Sequence, residues 1–142
     1  MRKTAFSLLV VATLAGCSTA PGEKAEKAEP DFPEFVTSAS PAAQKAYRLA
    51  YEHSDVLEKM PCFCGCGDTH GHRSNLNCFI KEKQANGKVV WDQMGISCGI
   101  CIEIAENAVK MKKEGKSMKE IRQIIDEEYG GSGTSTPTPK PQ

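Results

Sequence analysis

The sequence predicts a mainly α domain, a small helical bundle built around a Cys/Gly-rich metal-binding loop. Three observations predict it. Apolar residues recur at helical spacing in three stretches, near residues 43–51, 98–109 and 121–125. Each stretch follows a serine suited to cap a helix: Ser40, Ser97 and Ser117. Between the first two, residues 62–77 are mostly polar or glycine and carry cysteines at alternate positions, which is loop composition.

Both ends of the 142-residue chain read as lying outside that domain. Arg2 and Lys3 precede an apolar run from Ala5 to Ala15, interrupted only by Ser7 and Thr13. The run is too short to span a bilayer, which takes about 20 residues, and suits a signal peptide, residues 1–16. It closes on Leu14-Ala15-Gly16-Cys17, which resembles the lipobox of bacterial lipoproteins. That resemblance implies cleavage before Cys17, lipidation of its sulfur with diacylglycerol and palmitate-class chains, and attachment to the extracytoplasmic side of a bacterial membrane. Residues 17–39 show no apolar periodicity before Phe35 and read as a flexible tether, and 131–142, rich in Gly, Ser, Thr and Pro, as a disordered tail. The domain is expected over 40–130. Taking Arg2 and Lys3 from the 18 basic residues leaves 16 against 18 acidic ones. A slightly acidic chain gives no reason to expect a nucleic-acid partner.

Within the domain, Ser40 caps a helix with Pro41 at its first position and Ala43, Ala46, Tyr47, Ala50 and Tyr51 on one side. His53-Ser54-Asp55 breaks it, and His53 reads as a surface or capping residue. A short turn with Val56, Leu57 and Met60 stops before Pro61. After the loop, Leu76, Phe79 and Ile80 are expected to form a short helical anchor, Lys88–Trp91 to be extended, and Trp91 to enter the core. Ser97 is expected to cap a helix presenting Cys98, Cys101, Ile102, Ala105, Ala108 and Val109. Gly115 stops it, and Ser117 with Glu120 has capping-box spacing before Ile121, Ile124 and Ile125. So few apolar residues make a marginal core, which metal or disulfide cross-links would help to hold.

The chemistry lies in the cysteines. Beyond Cys17 there remain Cys62, Cys64, Cys66, Cys78, Cys98 and Cys101. An even count outside the cytoplasm ordinarily suggests disulfides. Yet Cys62, Cys64 and Cys66 are so close in sequence that disulfides among them would close small, awkward rings. Thiolates converging on a soft ion, chiefly Cu(I) or Zn(II), meet no such restriction. His70 and His72 flank Gly71 close by, and Cys98-Gly99-Ile100-Cys101 places two sulfurs on one side of a helix start, where the dipole favours thiolate. Bland readings stand beside these: Cys78 as a core residue, Cys98 and Cys101 as a structural disulfide, and both histidines as surface groups.

Pro61-Cys62-Phe63-Cys64-Gly65-Cys66 resembles the signature of the bacterial lipoprotein family named for its PCYCGC motif. The likeness continues through Gly71-His72, Cys78-Phe79-Ile80, Trp91-Asp92 and Cys98-Gly99-Ile100-Cys101. Phe63 stands where that family usually has tyrosine, so no phenol is available there. A shorter likeness, over residues 98–130, is to the thiol subunit of cytochrome c maturation, which places a Cys-x-x-Cys before a three-helix bundle.

The functional expectation is an extracytoplasmic, membrane-anchored lipoprotein that binds a soft metal, Cu(I) foremost with zinc as the alternative, for sequestration or handover to a metal-receiving partner. Cys62, Cys64, Cys66, Cys78, Cys98, Cys101, His70 and His72 are the candidate ligands. They exceed the four donors of one structural zinc, so more than one ion can be held. The alternatives are a thiol–disulfide protein working with a redox partner through Cys98 and Cys101, and a structural zinc or disulfide scaffold for partner binding. The sequence holds no Ser/His/Asp set, paired acid/base carboxylates or phosphate loop, so no enzyme is expected.

Overall fold

The computed structural model describes residues 30–142. The expected signal peptide, the lipidation at Cys17 and most of the tether lie outside the described residues. The described chain is about half helical, with six helices and one two-stranded sheet. The helices are α1 (Glu34–Thr37), α2 (Pro41–Glu52), α3 (Ser54–Leu57), α4 (Cys66–His70), α5 (Gly99–Lys113) and α6 (Met118–Tyr129). Strands β1 (Ile80–Lys83) and β2 (Val89–Trp91) form an antiparallel hairpin, pairing Ile80 with Trp91 and Lys83 with Val89.

Local signals act as the sequence reading expects in α2 and α6. Ser40 Oγ accepts from the Ala43 N–H at 3.3 Å, with Pro41 opening α2. Ser117 and Glu120 form a complete capping box on α6. The buried faces of α2, α3, α5 and α6 meet in one core, in which Tyr47, Leu57, Met60, Phe79, Ile104, Ile121 and Ile125 are inaccessible to water. Tyr47 packs edge-on against Phe79 at 5.2 Å between centroids and donates its hydroxyl hydrogen to the Asp92 carbonyl.

Five expectations change, the last at the C-terminal end. Ile80 lies in β1 instead of a helical anchor. Only Asn75–Cys78 is helical there, as one 3-10 turn, because the turn at Asn86-Gly87 brings β2 back beside Ile80–Lys83 and holds them extended. Cys98, not Ser97, is the N-cap of α5. Trp91 is half-buried: it rests on Phe32 at 4.9 Å and Tyr47 at 6.0 Å at the edge of the core. The fold also starts before residue 40, since Val36 is 1% exposed and Phe35 stacks edge-on against Tyr47. Three apolar residues are too few to show a period.

The segment read as a disordered tail lies against the domain. Thr136 and Thr138 are buried, and Arg122 Nη1 donates to the carbonyls of Lys59, Thr138 and Pro139 at 3.1–3.3 Å. Its composition hides this because it is held by backbone and hydroxyl groups, which leave no hydrophobic pattern.

Candidate metal centre

Three stretches of chain bring cysteines to one place. The first is the 61–71 loop. Gly65 (φ 79°) and Gly71 (φ 69°) bracket α4 in the left-handed region, where a side chain would be strained. The reversal at Gly65 lies between Cys64 and Cys66, whose sulfurs are 2.7 Å apart, and Cys62 Sγ lies 2.9 Å from Cys64 Sγ. The second stretch is the 3-10 turn that ends at Cys78. The third is the start of α5, where Cys98 and Cys101 sit one turn apart with sulfurs 2.9 Å from each other.

The stretches converge on Cys101. Its sulfur is 2.9 Å from that of Cys62, 3.2 Å from Cys78 and 3.7 Å from Cys64. Cys78 Sγ is 3.6 Å from Cys62 Sγ. The sulfurs of Cys62, Cys64, Cys78 and Cys101 all lie within 4.8 Å of one another, and this group could hold a metal ion. None of the six thiols is paired as a disulfide. Donor chemistry fits, since four thiolates suit a soft ion; a tetrahedron with metal–sulfur bonds of about 2.3 Å has edges of about 3.8 Å, which the 3.6 and 3.7 Å separations approach and the 2.9–3.2 Å ones must open to reach. Cys62, Cys78 and Cys101 are fully buried, while Cys64 and Cys98 reach solvent.

Crowding spreads the acidities of these thiols. Hydrogen bonding from Cys101, reinforced by Cys78, pulls Cys62 far down. Cys78 brings Cys64 down to about 5. Burial, with Cys64 beside it, pushes Cys66 up to about 12. Cys101 is driven up by its hydrogen bond to Cys62 and then by Cys78. The metal-free group therefore shares its protons unequally, with the charge gathered on Cys62 and Cys64.

The two histidines part company. His72 is buried, with Nδ1 3.6 Å from Cys78 Sγ and Nε2 3.6 Å from Asp92 Oδ2. His70 is exposed, its ring 5.9 Å from that of His72, outside the sulfur group. Cys66 and Cys98 flank the group, each beside one of its members.

Positioning residues that the sequence reading missed surround the cysteines. Asn75 is fully buried, and its Nδ2 donates to the Cys101 carbonyl at 3.1 Å, tying the 3-10 turn to α5. Asp92 faces His72 and accepts the Met94 N–H at 2.8 Å. Thr136 clasps Cys62: its N–H donates to the Cys62 carbonyl, and its Oγ1 accepts the Cys62 N–H, both at 2.9 Å. Asp92 follows the Trp91 of the motif pattern and offered a signal, whereas Asn75 and Thr136 offered none.

Fold and site together define a small cysteine-rich domain, about half helical, with a four-thiol group able to hold a metal. The family described as protein of unknown function with PCYCGC motif matches residues 14–142, and the chain belongs to it. No curated protein and no solved structure matches the chain.

Proposed function

We propose that this domain holds a soft metal ion, Cu(I) in the first place, with Cys62, Cys64, Cys78 and Cys101 as its ligands. The carrying observation is that four sulfurs from three separate stretches lie within 4.8 Å of one another, none of them joined in a disulfide. Thiolate sulfur is a soft donor and favours Cu(I). The role is sequestration or handover at the outer side of a bacterial membrane, with the lipid on Cys17 as the anchor. No substrate chemistry is involved, and the partner is a protein that receives the metal. Zinc is the competing occupant, because four buried thiolates also make a structural zinc site.

Elemental analysis of anaerobically purified protein, followed by Cu(I) and Zn(II) competition against chelators of known affinity, tests the reading. Copper should be retained with all four thiols protected from alkylation, and joint replacement of Cys62 and Cys101 by serine should lower retention at least tenfold. Full metal content in that double variant, or zinc alone that resists exchange for Cu(I), would count against it.

A second reading has one observation in its favour. Cys98 is half-exposed and its sulfur lies 2.9 Å from that of Cys101, which suits a thiol–disulfide couple. Failure to bind metal together with a reversible Cys98–Cys101 couple would favour it.

A further inference from the structure

Resting on the Cu(I) reading, we infer that the centre takes two Cu(I) ions, with Cys62 and Cys101 bridging them. Cys62, Cys78 and Cys101 form one closed triangle, with edges of 3.6, 3.2 and 2.9 Å. Cys62, Cys64 and Cys101 form a second, with edges of 2.9, 3.7 and 2.9 Å. The two triangles share the edge between Cys62 and Cys101. Each offers three donors to one three-coordinate ion, around which the sulfurs would open to about 4 Å apart on bonds of about 2.3 Å, and the shared edge supplies the bridge.

Charge points the same way. Burying an unmatched charge is costly. Four thiolates around one monovalent ion leave three negative charges unmatched. A second Cu(I) leaves two, the balance that a single divalent zinc gives to a four-thiolate site. The thiol protons leave to solvent as the ions enter, and no electron moves. Cys66, 2.7 Å from Cys64, and Cys98, 2.9 Å from Cys101, lie just beyond the two triangles. Cys98 is half-exposed, so it is placed to pass ions in and out.

Native mass spectrometry of the reduced full chain, titrated anaerobically with chelator-buffered Cu(I), reads the stoichiometry. Copper K-edge absorption on the saturated protein reads the bridging. Two coppers per chain with a copper–copper scattering path are expected. C62S and C101S should fall to one copper or none and lose the scattering path. Circular dichroism shows whether these variants fold, but the wild-type stoichiometry decides without them. Saturation at one copper, or two coppers with no copper–copper path, would overturn the bridged pair while leaving the single-site reading intact. No Cu(I) uptake at all would overturn both.

Discussion

Cys64 and Cys66 show how strongly position decides the behaviour of two thiols a residue apart. Cys64 is held down to about 5 by Cys78, so at pH 7 it is thiolate, whereas Cys66, pushed up to about 12 by burial, stays protonated. Thiolate is the species that alkylates. In metal-free protein at pH 7, limiting iodoacetamide should therefore label Cys64 well before Cys66, by roughly tenfold or more, as read by peptide mass spectrometry. The preference should fade as pH falls through about 5. So should the stability this thiolate contributes, because a folded-state pKa below the ordinary value near 9 makes that contribution full above the unfolded range. Equal labelling at pH 7 would contradict the proton sharing described. The sequence announced these thiols plainly through Cys62-x-Cys64-x-Cys66. It could not separate His72 from His70, because both flank Gly71 and only the fold decides which one turns inward.

At the scale of elements, the residues after Gly130 act as a clasp. The Thr136 hydroxyl accepts from the Cys62 N–H and lies 2.9 Å from the Thr138 hydroxyl, which donates to the Arg73 carbonyl at 2.6 Å. Thr136→Val keeps the shape and removes the acceptor, leaving a buried N–H without its partner. That should cost about 1–3 kcal/mol, seen as a lower urea midpoint with an unchanged slope. An unchanged midpoint would mean that the clasp contributes nothing. Helices α2 and α6 were legible because capping serines and apolar periods coincide in them. The hairpin was not: β1 reads Ile-Lys-Glu-Lys, with only Ile80 buried, so its pairing rests on the Asn86-Gly87 turn rather than on an apolar pattern. The clasp was invisible for a related reason, since threonine hydroxyls and backbone amides carry no periodicity.

Taken whole, the fold spends part of its interior on sulfur. Cys62, Cys78 and Cys101 occupy fully buried positions that larger apolar side chains would otherwise fill. A bound metal links the 61–71 loop, the 3-10 turn and α5 at a single point, so binding free energy becomes folding free energy. At a thousandfold excess over Kd that is about 4 kcal/mol, or a rise in Tm of roughly 15 °C or more for a domain this small. Calorimetry of loaded and chelator-stripped protein, both kept reduced, measures the difference, and coincident melting curves would show the metal to be incidental to the fold. Trp91 adds an optical consequence. The chain's one tryptophan is seated on Phe32 and donates from its indole nitrogen to the Asp31 carbonyl at 3.2 Å. Its fluorescence thus watches the place where the leading segment joins the folded body, and a red shift in emission would register that segment lifting away without involving a single thiol.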